Sequence, residues 1–144
     1  MTDLVPTERG DRWLLPVAGQ QITRCCVDYA AVLLLLENGV EFSIETEFFL
    51  ILPTGQHHAL NPEADYGLAL APILGTRRRT VAQGAAFKDG RLVLEIDDGS
   101  RIEVPADHKY ESWNLTGPGG LMIVSTPGGD LSIWLSRDSG TSGA

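Results

Sequence analysis

The stretch RLVLEIDDGSRIEV, residues 91–104, decides the fold, because apolar and polar residues alternate on both sides of Asp98-Gly99. Strict alternation predicts strands with one buried face, and two such strands around an Asp-Gly pair predict a hairpin. A three-residue loop that ends at Gly99 pairs Leu94 with Ile102, apolar with apolar. This loop also places the glycine where a left-handed backbone is required.

A second hairpin precedes it, around Glu37-Asn38-Gly39. The same loop pairs Leu34 with Phe42 and Val32 with Ile44. The opposite face of its first strand is apolar too, with Leu33 and Leu35. We therefore expect this strand to be covered on both faces, by a second layer or by a partner chain.

The two hairpins match along their length when Gly39 is aligned with Gly99. Strand-like stretches precede them at residues 21–27 and 80–87, and in this alignment Val27 matches Phe87. The pattern predicts two three-strand meanders. Either a fused duplication or the general likeness of amphipathic hairpins accounts for them.

A third hairpin is predicted from residues 121–126 and 131–135, which flank a Pro-Gly-Gly-Asp turn. Its expected register pairs Val124 with Ile133 and Ile123 with Trp134.

One short helix is predicted between the meanders. Asn61 is a suitable N-cap, and Pro62 followed by Glu63 and Asp65 suits a first turn. Pro72 interrupts the pattern because it lacks an amide hydrogen. We therefore expect two pieces, a turn over residues 62–66 and a helix that begins near Pro72.

These elements predict a mainly β, single-domain protein over residues 12–135. Its antiparallel hairpins form a curved sheet, a sandwich or an open barrel, with one short helix. The polar ends of the 144-residue chain, residues 1–11 and 136–144, are expected to be flexible tails.

The chain is acidic, with 11 Lys and Arg against 19 Asp and Glu and a net charge of −8. Nucleic acid is therefore not expected as a partner, because phosphate binding needs clustered basic residues. No membrane partner is expected either, since the longest apolar run, residues 30–36, is too short to span a bilayer. Cys25 and Cys26 are adjacent, which favours two small buried side chains in a reducing cytoplasm over a redox pair.

No catalytic motif is recognisable, and we expect neither a cofactor nor a metal. The three histidines, His57, His58 and His108, lack ligand spacing, and the first two are expected in a loop. The basic island Arg77, Arg78 and Arg79 either contacts an anion or an acidic partner or is a solvated turn after the helix.

The candidate contact residues lie in and after the segment 105–115. Alternation puts Tyr110 on one side and Glu111 with Trp113 on the other, and aromatic rings beside acids are typical of contact surfaces. The competing interpretation is a set of core aromatics with Glu111 paired locally. The full candidate set is His108, Tyr110, Glu111, Trp113 and Trp134.

Several of these stretches resemble a family of small actinobacterial proteins of unknown function. The resemblance rests on Asp89-Gly90, Asp98-Gly99, Tyr110-Glu111-Ser112-Trp113, Gly117 to Gly120, Pro127-Gly128-Gly129 and Trp134, and Trp13 also fits. It covers the chain well from Asp89 onward and the first half only in pattern. It implies a bacterial cytoplasmic protein and no mechanism.

Two function hypotheses follow. The first is a non-catalytic protein-interaction module, for example an acidic antagonist of a basic toxin, or a homodimer through the apolar strand face. The alternative is a small-ligand-binding protein or enzyme with a cleft near Tyr110, Trp113 and Trp134, in which Glu111 or His108 supplies the polar group.

Overall fold

A computed structural model describes residues 4–64 and 67–135 of the chain. Strand accounts for 47% and helix for 9%, and the strands form a single open antiparallel sheet that is not closed into a barrel. The mainly β prediction is therefore confirmed. The expected tail over residues 136–144 lies outside the described residues, as do Asp65 and Tyr66 of the predicted turn.

The described residues form thirteen strands. Their bounds are β1 Thr7–Arg9, β2 Arg12–Leu14, β3 Gln20–Val27, β4 Val32–Leu36, β5 Glu41–Ile44, β6 Phe48–Ile51, β7 His57–Leu60, β8 Thr80–Phe87, β9 Leu92–Ile96, β10 Arg101–Val104, β11 Trp113–Thr116, β12 Met122–Ser125 and β13 Leu131–Trp134. A 3₁₀ helix, Gly67–Thr76, connects β7 to β8, and a single 3₁₀ turn, Pro118–Gly120, precedes β12.

The sheet runs in the order β13-β12-β11-β5-β4-β3-β8-β9-β10-β6-β7, and β2 pairs with both β1 and β8. Alternate residues of these strands are fully buried in one hydrophobic core, to which both halves of the sheet contribute. The polar residues between them lie on the outer face, as alternation requires.

The registers predicted for the first two hairpins are confirmed. Leu34 pairs with Phe42, and Leu94 pairs with Ile102. Gly39 and Gly99 have φ angles of 91° and 93°, the left-handed values expected of them. Apolar pairing across the buried face therefore set both registers.

An internal two-fold repeat relates the halves of the sheet. β3-β4-β5 corresponds to β8-β9-β10, and the next hairpin of each half crosses to the other: β6-β7 joins β10, while β11-β12 joins β5. The pair Gln21↔Thr80 lies at the centre. Both central strands carry a register shift at the same place, after Ile22 and after Val81.

The repeat extends further than predicted and corrects one match. Val32 and Leu92 occupy corresponding positions in the two hairpins. Val32 pairs with Val27, and Leu92 pairs with Ala86, so Val27 matches Ala86 rather than Phe87. The alignment that fits the hairpins is off by one position on the central strands, because five residues separate the paired Ala86 and Leu92 but only four separate the paired Val27 and Val32.

The predicted register of the third hairpin is wrong by one residue. Ile123 pairs with Ile133, and Met122 pairs with Trp134. The amide of Thr126 donates to the Asp130 carbonyl, which closes a three-residue loop rather than the assumed four-residue loop. The turn is thus of the same length as those of the other two hairpins.

The linker helix also differs from prediction. The Asn61 carboxamide oxygen accepts hydrogen bonds from the amides of Glu63 and Ala64, as a cap does. The helix does not begin near Pro72, however, but runs through it from Gly67. Proline excludes a regular α-helix here, and the tighter 3₁₀ turns, which occur in short pieces, form instead.

Thr7–Arg9, within the expected N-terminal tail, forms β1 and pairs with β2. β2 in turn pairs with β8, where Trp13 lies opposite Ala86. This hairpin therefore extends the sheet along one edge of β8.

Candidate functional site

Trp113, a candidate contact residue, is fully buried, with 0% of its surface exposed. Its indole Nε1 donates a hydrogen bond to the Gly90 carbonyl oxygen at 2.9 Å. The Ser125 hydroxyl donates to the same oxygen at 2.9 Å. Trp113 is therefore a core residue that fixes a turn, and it offers no surface to a ligand or partner.

That turn packs directly against another one. A methyl group on Gly90 would lie 2.6 Å from the Cα and carbonyl oxygen of Gly129, and one on Gly129 would lie 2.4 Å from the Asp89 carbonyl. Ala106 lies beside both glycines. We call Gly90, Gly129, Ala106, Trp113 and Ser125 the glycine node.

The glycine node explains three of the stretches on which the family resemblance rests. Asp89-Gly90, Trp113 and Pro127-Gly128-Gly129 are far apart in the sequence and meet here. Their shared role is to lock the β8-β9 turn onto the β12-β13 turn. These residues are structural, and the sequence does not reveal this role, because each stretch by itself has only the pattern of a local turn.

The other candidates of this segment lie on the loop between β10 and β11. His108, Tyr110 and Glu111 are exposed, Tyr110 at 62%. The strand alternation assumed for them does not apply, because β11 begins only at Trp113.

Asp107 shapes this loop. Its carboxylate accepts hydrogen bonds from the amides of Lys109 and Tyr110, which lower the pKa of Asp107. Its carbonyl accepts a hydrogen bond from the Gly128 amide. The loop is therefore tied to the turn at one end of β13.

Trp134 lies at the opposite end of β13 and is 54% exposed. It pairs with Met122 and lines a shallow groove of about 610 Å³ together with Ile133 and Leu135. The structure does not bring Tyr110, Trp113 and Trp134 together around one cleft. None of the described residues that line the groove has a titratable side chain, so these residues offer apolar contact rather than acid–base chemistry.

The outer face of β4 carries the second apolar feature. Leu33 and Leu35 are half-buried and line a small cavity of about 170 Å³ with Arg24, Cys26 and Glu41. Leu35 lies between Arg24 on β3 and Glu41 on β5 in the cross-strand register. The expected second cover over this face is therefore incomplete within the described residues.

The basic island divides into two parts. The Arg79 guanidinium lies 3.8 Å from the Asp97 carboxylate and 3.5 Å from that of Asp98. Arg77 and Arg78 are exposed and form no ion pair with a residue that the structure describes. The Arg78 amide donates to the Ile22 carbonyl, which anchors the island to β3.

Cys25 and Cys26 are free thiols on opposite faces of β3. Cys25 faces the linker helix, with its sulfur 3.4 Å from the Thr76 hydroxyl oxygen. Burial raises the pKa of Cys25 and keeps it protonated at neutral pH. This environment does not activate a nucleophile.

The histidines are not assembled into a site. His57 and His58 lie on β7, not in the predicted loop, and adjacent strand residues point to opposite faces. Within residues 4–64 and 67–135, no group of three or more His, Cys, Asp or Glu could hold a metal ion. No helix in the same ranges combines the length and the apolar character that crossing a membrane requires.

No curated protein and no solved structure is significantly similar to the chain. One family model, described as a family of unknown function (DUF6188), matches residues 13–135, which begins at β2 and ends just after β13. The chain belongs to this family of unknown function.

Proposed function

We propose that the protein is a non-catalytic interaction module whose contact surface is the outer face of β3-β4-β5. The observation that carries this proposal is the row Arg24-Leu35-Glu41, in which an apolar residue is flanked by opposite charges on neighbouring strands. Half-exposed Leu33 lies on the same face. Exposed apolar surface framed by charge is typical of protein contacts.

The first partner we propose for this surface is a second copy of the chain. A two-fold axis parallel to β4 turns a second copy face to face with the first. It then places Arg24 of each copy opposite Glu41 of the other, with Leu35 against Leu35. Such a self-complementary patch is what a two-fold dimer requires.

The cellular setting and the alternative function rest on other observations. A bacterial cytoplasmic setting is what the family resemblance implies, and it agrees with two free thiols. A small-ligand cleft ranks second, because the described residues that line the groove beside Trp134 include no titratable group.

Analytical ultracentrifugation over a wide concentration range tests the dimer. We expect Leu33→Asn to raise the dimer dissociation constant by about tenfold or more, because it places an amide in the apolar contact. Val93→Asn is the matched control, since Val93 occupies the corresponding position on β9 in the other half.

The charges provide a second test. Arg24→Glu is expected to weaken association, and Arg24→Glu combined with Glu41→Arg to restore it. A protein that stays monomeric at every concentration, or a dimer that ignores both sets of changes, contradicts the proposal.

A further inference from the structure

The two-fold repeat reveals a strand position that is filled in one half of the molecule and open in the other. β2 pairs with the C-terminal half of β8, and Trp13 covers Ala86, which is 0% exposed. The corresponding residue on β3, Val27, is 47% exposed. No strand of the described residues pairs with β3 there on the side away from β4.

The backbone of β3 has the same arrangement of hydrogen-bonding groups as the part of β8 with which β2 pairs. On β8 the Gly84 carbonyl accepts a hydrogen bond from Leu15, and the Lys88 amide donates to Asp11. In the repeat, Gly84 corresponds to Cys25 and Ala86 to Val27. The open edge of β3 therefore presents the Cys25 carbonyl and the amide and carbonyl of Val27.

The linker helix accounts for the opening. The bond from the Gln20 amide to the Val17 carbonyl recurs as the bond from Arg79 to Thr76, so the chain before β8 follows the same path as the chain before β3. Further back the paths diverge. Where one half forms β2, the other forms the 3₁₀ helix, which buries Ile73 in the core instead of adding a strand.

Two basic side chains, one acidic side chain and one exposed aromatic side chain surround this edge; the acid, Asp28, accepts a hydrogen bond from the Tyr29 amide. Arg24 lies on β3 itself, and Arg77 is close enough to Cys25 to oppose the rise in its pKa that burial causes. Neither forms an ion pair within residues 4–64 and 67–135. Tyr29, at the end of the edge, is 96% exposed.

We propose that this edge, residues 25–29, binds an extended acidic segment of another protein, which adds to β3 as β2 adds to β8. Main-chain hydrogen bonds supply the pairing, as in other cases of strand addition. An apolar side chain of the segment lies opposite Val27, in the place that Trp13 takes opposite Ala86. Acidic side chains of the segment alternate with the apolar ones and lie on the outer face, where they meet Arg24, while Arg77 adds positive charge near the edge.

Fluorescence polarisation with a labelled heptapeptide that alternates glutamate and valine tests this proposal on the full chain. We expect saturable binding that weakens as salt is added, because exposed charges are screened. The same peptide with lysine in place of glutamate is expected to bind at least about tenfold more weakly.

Two variants locate the site. Val27→Pro removes the outward-facing amide, which the pairing with β4 does not use, and is expected to abolish binding. Arg77→Glu is expected to weaken binding at least about tenfold without touching a buried residue. Arg101→Glu is the charge control, because Arg101 is an exposed arginine of the other half, paired with Glu103.

The outcomes distinguish this site from the dimer face. Amide shifts confined to residues 25–29 and their neighbours in a peptide titration support the proposal, provided Val27→Pro keeps the circular dichroism spectrum of the parent. Absence of binding, binding that Arg77→Glu leaves unchanged, or self-association that depends on Val27 overturns it. Leu33→Asn disrupts the outer face without changing Arg24, which both proposals use, and is expected not to weaken peptide binding.

Discussion

Gly90 and Gly129 show how single residues decide the packing of two distant turns. Both have left-handed backbones, with φ angles of 99° and 103°. Each approaches the other more closely than any side chain permits. The sequence predicted turns at both glycines, but their mutual contact could not be read from alternation, which carries no information about which turns meet in space.

Gly90→Ala is expected to lower the free energy of unfolding by about 3 kcal/mol. A left-handed alanine costs about 1–2 kcal/mol, and the overpacking against Gly129 adds about 1–3 kcal/mol. Urea denaturation measures the change. Gly128→Ala is the control, because Gly128 is also left-handed, at 93°, but has open space around it, so only the first cost applies.

At the scale of elements, alternation and turn chemistry predicted the first two hairpins, including their registers. The predicted register of the third hairpin is wrong because it assigns all four residues of Pro-Gly-Gly-Asp to the loop. Gly129 has a left-handed backbone, as Gly39 and Gly99 have, and it ends a three-residue loop like theirs. The predicted bounds of the helix between β7 and β8 are wrong, because helix propensity does not distinguish an α-helix that contains a proline from a run of 3₁₀ turns. Trp113 is a core residue and not a contact residue. The sequence does not distinguish the two, since an aromatic residue beside an acid has the same pattern whether it faces the core or the solvent.

The segment that leads into β8 contains a residue with a strained backbone, and the repeat explains why it is there. Arg78 has a φ angle of 76°, and its amide donates to Ile22 as the amide of Gly19, with a φ of 80°, donates to Val81. Both central strands are therefore entered through a left-handed residue. Only the first half places a glycine there.

Arg78→Gly is consequently expected to raise the free energy of unfolding by about 0.5 kcal/mol. The relief of the left-handed penalty, about 1–2 kcal/mol, exceeds the entropy that glycine adds to the unfolded chain. Gly19→Ala is expected to have the opposite sign. A thermal-melt comparison of both variants with the parent decides the matter, and a lower melting temperature for Arg78→Gly would show the explanation to be wrong.

At the scale of the whole molecule, the crossing of the hairpins makes the halves interdependent. β6 pairs with β10, and β11 pairs with β5, so the last hairpin of each half rests on the sheet of the other. The core likewise draws on both halves. The two matching hairpins reveal the repeat in the sequence but not the exchange, because the exchanged strands do not keep the spacing that relates Gly39 to Gly99.

Fragments 1–64 and 65–144 are therefore expected not to fold as separate monomers and to recover the parent circular dichroism spectrum when mixed in equal amounts. The reason is that each fragment supplies the strand against which the other's hairpin pairs. Sedimentation of the mixture measures the complex. Either fragment folding alone as a monomer would contradict the interdependence.

Ala86 is covered and Val27 is exposed, and this difference sets how many partner segments one chain can bind. A dimer of two identical half-length chains, with their hairpins exchanged in the same way, would have two open strand edges related by symmetry. Such a dimer would bind two ligands and could crosslink them. A single chain that contains both halves is free to seal one edge with its own N-terminal hairpin. Each chain then presents one such edge and binds one partner segment, so the proposed two-fold dimer would hold two partner segments, one on each copy.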